Sequence, residues 1–243
     1  MKKTKIMSLV LCLAMILSGC ASMNNTTKGA LIGSGGGAAL GTLIGSMVSG
    51  KSDKTKGRLI GAAIGTAVGS TAGVLNGKKM DKAAAQAAAI EGAQVEQVTD
   101  QNGLQAVRVT FDSGILFGTG AATLSSSAKA SLSKFANNVL KQNANMDVNI
   151  FGFTDNQGWK NSTVEQNRQK NINLSQERAQ SVSTYLLSCG VAPSQIKGVQ
   201  GLGEESPVAD NSTAAGRQEN RRVEVYMYAS QQMIQQAETG LLR

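Results

Sequence analysis

Three places in this chain hold side chains whose types and spacing could support chemistry. The first is Gly45-Ser46-Met47-Val48-Ser49-Gly50-Lys51-Ser52, which matches the phosphate-binding pattern G-x-x-x-x-G-K-[ST]. Such a loop cradles phosphate only between a buried strand and a helix N-terminus. Here the preceding residues keep a four-residue glycine period and polar SDKTKGR follows, so the match is a product of Gly-rich composition. The second is Glu204-Glu205, adjacent carboxylates in a loop with no evident partner for acid–base work. The 243 residues contain no histidine. This removes Ser-His-Asp and Cys-His nucleophiles, His-ligated zinc and imidazole proton shuttles. We read the chain as non-enzymatic, with no cofactor and no metal.

The third place is Cys20. MKKTKIMSLVLCLAMILSGC opens with a basic segment, followed by an apolar run from Ile6 to Leu17 that is too short to span a membrane stably. It ends in Leu17-Ser18-Gly19-Cys20, which resembles the bacterial lipobox, so cleavage leaves an acylated (palmitate-type) Cys20 as the new first residue. Cys12 is then discarded and Cys189 is left alone, so no disulfide is available. Ala21 follows the cysteine, where an Asp would suggest inner-membrane retention; the expected location is the outer membrane, facing the periplasm. Lys and Arg number 24 against 16 Asp and Glu, a net charge of +8. Removing Lys2, Lys3 and Lys5 with the leader lowers it to about +5, without the interleaved aromatics of a nucleic-acid footprint.

Glycine recurs at 29, 33, 37, 41 and 45, and again at 57, 61, 65, 69, 73 and 77. Each costs a helix about 1 kcal/mol relative to alanine, yet a period of four is a helical spacing. Leu, Ile, Val and Ala fill the intervals, unlike a Gly/Ser linker. Tracts of 22 and 21 residues flank the polar KSDKTK loop, and each would be about 32 Å long as a helix. A glycine stripe lets backbones approach closely, which offsets the propensity loss. The segment resembles the glycine-zipper modules of bacterial envelope proteins and predicts a helical hairpin, either in the bilayer or paired with copies of itself.

Beyond Lys78 the composition shifts. MDKAAAQAAAIEGAQVEQV predicts a solvated helix to about Glu91, then strands at Val95–Val98 and Leu104–Phe111 around an Asn102-Gly103 turn. Ser125 caps a helix to about Gln142 with Ala128, Leu132, Phe135, Ala136, Val139 and Leu140 on one face. Met146–Phe153 reads as a strand. Ser175 is expected to cap a further helix, with Ala179, Val182 and Leu186 inward and Gly190 as its stop. Arg222–Tyr228 alternates as a strand, Val223, Val225 and Met227 opposite Glu224, Tyr226 and Tyr228. The expected fold class is α+β, a mixed sheet with helices on one face, preceded by the glycine-rich hairpin. The expected divisions are leader 1–19, anchor tether 20–28, hairpin 29–77, linker helix and start of the β-hairpin 78–103, principal domain 104–230 and tail 231–243.

Within that domain FGFTDNQG at 151–158, NLSQERAQSV at 173–182, GLGEESPVADNSTAAGRQENRRVEV at 201–225 and, more loosely, ILFGTGAATL at 115–124 fall in one order. Together they resemble the OmpA-like peptidoglycan-binding domains. The resemblance implies non-covalent binding of the diamino acid in peptidoglycan stem peptides, whose side-chain end carries an ammonium and a carboxylate on one carbon. It assigns the anion to Asp155 of the Thr154-Asp155 motif and the cation to Arg178 of the L-S-x-x-R-A motif. Asn171 bonds the ligand or holds its loop, Arg221 braces the site, and Arg217 is read as solvated. Arg178 is expected in the first turn of its helix, where the dipole disfavours a cation and favours a ligand carboxylate.

Two departures from the family stand out. Asp155 and Arg178 are 23 residues apart, more than is usual, and the excess predicts an enlarged loop from Trp159 to Asn173. Its tryptophan is either a sugar-stacking face or a half-buried loop anchor. Gly118 stands where many members carry Asp. The functional reading is an outer-membrane lipoprotein that ties the envelope to the wall, with self-association through the glycine segment. The alternative is a glycine-zipper oligomer inserted in a membrane, with wall binding only for localisation.

Overall fold

The computed structural model describes residues 70–99, 105–239 and 241. The lipobox, the glycine tracts before Ser70 and the Asn102-Gly103 turn lie outside the described residues. Helix α1 (Ser70–Ala88) runs without a break through Gly77, so the last turns of the second glycine tract and the alanine-rich stretch are one helix. No helix among the described residues is long and apolar enough to cross a membrane.

The sheet is built from β1 (Ala93–Thr99), β2 (Gln105–Asp112), β3 (Met146–Gly152), β4 (Ile196–Gly201) and β5 (Arg222–Ala229). Its order is β1-β2-β5-β3-β4. Every neighbouring pair is antiparallel except β3–β4, which is parallel. A parallel pair requires a crossover, and here it is the long helix α4 (Val164–Ser188). The short α2 (Ser113–Leu116) and α3 (Ser126–Phe135) lie between β2 and β3, α5 (Ala214–Asn220) precedes β5, and α6 (Gln231–Glu238) follows it.

Helix α3 forms as its pattern predicts. Ser125 Oγ accepts the Ala128 N–H at 3.0 Å, and all six expected residues of its inner face are buried. The chain continues through a wide π turn (Ala136–Leu140) and a tight 3-10 turn (Lys141–Asn143). Phe135 meets Phe111 of β2 edge-on at 5.5 Å, a geometry that adds about 0.5–1.5 kcal/mol beyond area burial. β5, in the middle of the sheet, is buried along its whole length. Val223, Val225 and Met227 face the helices, while Tyr226 and Tyr228 join Phe151, Phe153 and Leu202 on the other face.

Two expectations are corrected. The helix beyond Lys78 is not solvated: Met80, Ala83, Ala84 and Ala87, with Ile90 just after it, enter the main core. Their spacing of three and four is one helical stripe. Nor does Ser175 cap a helix. Thr163 does, accepting the Gln166 N–H while the Gln166 side chain bonds back to the Thr163 N–H, a complete capping box. What reads as an enlarged loop is therefore mostly helix from Val164 onward. The stop at Gly190 stands: its φ is +89°. The N–H groups of Gly190 and Val191 return to the Leu187 and Leu186 carbonyls, as in a Schellman ending.

Candidate functional site

Strand direction gathers the candidate residues at one end of the sheet. Asp112 pairs with Arg222, and Gly152 pairs with Val223. The end of β2, the end of β3 and the start of β5 therefore share an edge. Because β4 runs parallel to β3, its C-terminal end arrives there too, and Thr154 N–H donates to the Gly203 carbonyl at 2.8 Å. The resulting cleft holds about 460 Å³ and is lined by Thr154, Asp155, Asn171, Arg178 and Arg221, all five of the expected residues, together with Ser113 and Trp159. A larger groove of about 760 Å³ beside α4, past Gln180 and Tyr185, contains none of the five.

Asp155 is 7% exposed. Its Oδ1 accepts the Gln157 N–H at 3.1 Å, and its Oδ2 is ion-paired with Arg221 Nη1. Arg221 Nη2 in turn donates to Gln218 Oε1, and Gln218 Nε2 donates to both carboxylate oxygens of Asp112 at 2.6 and 2.7 Å. The expected brace is thus a chain from Asp155 through Arg221 and Gln218 to Asp112.

Arg178 is 4% exposed. Its Nε donates to the Ala121 carbonyl at 3.0 Å and its guanidinium lies over Phe117, 5.3 Å from the ring centre. Among the described residues, no hydrogen bond or ion pair occupies its two Nη atoms. Burial and then the neighbouring Arg221 cation lower its pKa from the usual arginine value, while Asp155 opposes them. Arg178 sits in the middle of α4, more than three turns from its start. The dipole argument for its placement therefore does not apply. Its unspent donors and its burial mark it instead.

Asn171 holds the loop. Its Oδ1 accepts Trp159 Nε1–H at 3.1 Å, and its Nδ2 donates to Glu204 Oε2 at 3.2 Å, with longer contacts to the Asp155 and Gln157 carbonyls. Glu204 is thereby engaged, and Glu205 pairs with Arg168 at 2.9 Å; the adjacent carboxylates brace loops separately. Arg217 is more than solvated, since its Nη1 donates to the Asn211 and Ser212 carbonyls. Asn220, fully buried, ties Val208, Ala209 and Asn211. Arg222 bonds Glu224 at 2.7 Å and stacks on Phe153 at 3.8 Å. The basic run at 216–222 is thus mostly scaffold, with Arg221 its reach into the cleft.

Two hydroxyls in the cleft are conspicuous. Thr154 Oγ1 and Ser113 Oγ are buried without a hydrogen-bond partner among the described residues. Buried polar groups are ordinarily satisfied, so these two hydroxyls, on residues that line the same cleft, are exceptions. Thr154 was expected from the sequence and Ser113 was not. The available signal for Ser113 was its place directly after β2, at the sheet end where Thr154 follows β3. Gly118 lines the opposite side, where an added Cβ would meet only the Ala121 Cβ at 3.9 Å.

A mixed five-stranded sheet with helices on one face, and an acidic and a basic side chain converging at one sheet end, are those of an OmpA-like domain. Residues 116–221 match the model of the OmpA family, and residues 1–81 match that of the YMGG-like Gly-zipper. Over those residues the C-terminal part of the chain is similar to the OmpA family. It is 41% identical over 117 residues to the Escherichia coli (strain K12) protein named "Probable lipoprotein YiaD". It is 36% identical over 119 residues to the outer-membrane lipoprotein YfiB of Pseudomonas aeruginosa. It is 38% identical over 120 residues to the peptidoglycan-binding protein ArfA of Mycobacterium tuberculosis. These stretches cover 48%, 49% and 49% of this chain and 46%, 65% and 34% of those relatives. A MotB-like protein of Desulfovibrio vulgaris has a crystal structure that superposes with a TM-score of 0.52 at 25% identity, covering 63% of this chain and 90% of that one.

Proposed function

We propose that this protein binds peptidoglycan non-covalently through the cleft and tethers the outer membrane to the wall through a lipid on Cys20. One observation carries the binding: a buried guanidinium with two unspent nitrogens stands in one cleft with a buried carboxylate. A zwitterion on a single carbon, such as the side-chain end of diaminopimelate, satisfies both. Its carboxylate takes the Arg178 Nη donors and its ammonium takes Asp155. Arg221, ion-paired with Asp155, keeps that carboxylate oriented. Charge-assisted bonds of this kind, formed away from water, are the strong ones. Nothing in this exchange breaks a covalent bond, so the protein acts by binding. The similarity to YfiB, an outer-membrane lipoprotein, and to ArfA, a peptidoglycan-binding protein, supports the membrane and the wall halves of the reading.

The test is co-sedimentation of residues 21–243 with purified sacculi. Wild type is expected in the pellet, and Asp155→Asn, which keeps shape and removes the charge, is expected to stay in the supernatant while remaining folded by circular dichroism. Equal pelleting of the two rules out the proposed ion pair. The anchor is tested separately. Cys20→Ser is expected to move the full-length protein from the outer-membrane fraction to the soluble periplasm, and retention of the variant in the membrane excludes an acyl anchor.

A further inference from the structure

Trp159 is the chain's single tryptophan, and its surroundings hold it with unusual thoroughness for a residue 37% exposed. Its backbone N–H donates to Asn167 Oδ1 at 2.7 Å and its indole N–H to Asn171 Oδ1 at 3.1 Å. The Lys170 ammonium stands 5.9 Å from the ring centre. Asn167, Lys170 and Asn171 are spaced three and four along the first turns of α4, so one helix face clamps the residue. Those turns lie in the stretch from Trp159 to Asn173 that is helical from Val164 onward. An indole tied through its N–H to Asn171, on a backbone itself tied to Asn167, has less rotamer freedom to lose on binding, which is the property of a good contact surface.

The residue also lines the cleft, with Phe117 and Leu174 as the other large apolar members. Asp155, Arg178 and Arg221 supply the charge. The charged groups suit a zwitterionic head, and the apolar groups suit what the head is attached to. Resting on the binding reading above, we infer that Trp159 is a specificity-determining residue: it packs on the methylene chain behind the zwitterionic carbon. The cleft thereby selects a long diamino acid over any short amino acid bearing the same head group. The indole N–H is engaged by Asn171, so this contact is apolar and adds nothing to recognition of the head itself.

The experiment uses meso-diaminopimelate and glycine as probes, with residues 20–243 carrying Cys20→Ser. Both probes present an ammonium and a carboxylate on one carbon, and only the first has the chain. Calorimetric titration should find diaminopimelate bound at least about tenfold more tightly than glycine, the contact of roughly two methylenes. Trp159→Ala should lose most of that preference by weakening diaminopimelate, with glycine affinity unchanged. Tryptophan emission of the wild type should shift to the blue with diaminopimelate and stay unmoved with glycine. An undiminished preference in Trp159→Ala, or an equal emission shift with both probes, overturns the inference and leaves the head-group site standing. If wild type binds neither probe, the binding reading falls and the inference falls with it.

Discussion

Arg178→Met is expected to release the protein from peptidoglycan and, in the same variant, to make the fold harder to unfold. The two effects have one cause. The guanidinium is almost wholly buried, has one hydrogen bond to a carbonyl, and faces the like charge of Arg221, while the nearby carboxylate of Asp155 is already paired with Arg221. Taking a charge out of water without full compensation costs several kcal/mol. Methionine fills the same length, packs its thioether on Phe117, and removes that cost; a gain of about 1–2 kcal/mol in unfolding free energy is the expected size. Binding loses both charge-assisted bonds to the ligand carboxylate, and losing such a partner costs about 2–5 kcal/mol. That is about 30-fold to several thousand-fold in affinity. Urea denaturation and co-sedimentation of one preparation give both numbers. A variant that binds as wild type does but unfolds more readily would make Arg178 a structural support instead.

The second large effect comes from a residue with no side chain. A Cβ at Gly201 would lie 2.1 Å from the Gln176 backbone nitrogen, 2.5 Å from its Cα and 2.6 Å from Ser175 Oγ; one at Gly152 would lie 2.1 Å from the Ser175 carbonyl oxygen. The ends of β3 and β4 therefore touch the backbone of α4 itself. Ser175 Oγ bridges the junction, accepting the Gly203 N–H at 2.9 Å and donating to the Ile172 carbonyl at 2.8 Å. Gly201→Ala requires the helix to retreat by roughly 1 Å or more to restore ordinary contact. Overpacking costs about 1–3 kcal/mol when flexible side chains give way. Here the atoms are mainly backbone, so we expect about 3 kcal/mol or more, a fall of roughly 10 °C in Tm for a domain of this size. Arg178 lies within one turn of the collision, so peptidoglycan binding should weaken as well. Gly118→Ala, which meets only a methyl group at 3.9 Å, is the control expected to change neither.

The parts of this fold legible in the sequence were those in which side-chain chemistry and periodicity agree. Ser125 with the apolar face from Ala128 to Leu140 is one such case, and the alternation of Arg222–Tyr228 is another. The start of α4 shows the opposite case. VEQNRQKNIN has almost no apolar residues, so periodicity gives no helical signal, and Ser175 before an apolar stripe offers a plausible false cap. The true signal, Thr163 followed three residues later by Gln166, was present but sat in front of a polar run. In α1 the stripe from Met80 to Ala87 has helical spacing, yet alanine carries so little apolar surface that the helix reads as solvated.

Of the site, Thr154, Asp155, Asn171, Arg178 and Arg221 were legible through motif resemblance. Their cooperation was not, because it depends on which strand ends coincide. The chain from Asp155 through Arg221 and Gln218 to Asp112 joins three segments that no local pattern connects. The same holds for Ser113, which lines the cleft from the end of β2.

The tether proposed above would also be a mechanical element, and α1, which precedes the sheet, is where tension would enter the described domain. The helix reaches β1 through a four-residue turn that reverses the chain, and Ala93, at the start of β1, pairs with Phe111 next to the cleft end of the sheet. The helix thus runs back toward α6, away from the cleft. In the proposed tether, a pull from the N-terminal side against a wall fragment held in the cleft passes through this helix. The stripe of Met80, Ala83, Ala84 and Ala87, which holds the helix to the core, would bear that load. In a tether of the kind proposed, the alanine-rich helix would be the clutch, and the force that it holds before slipping would set the load carried by each copy.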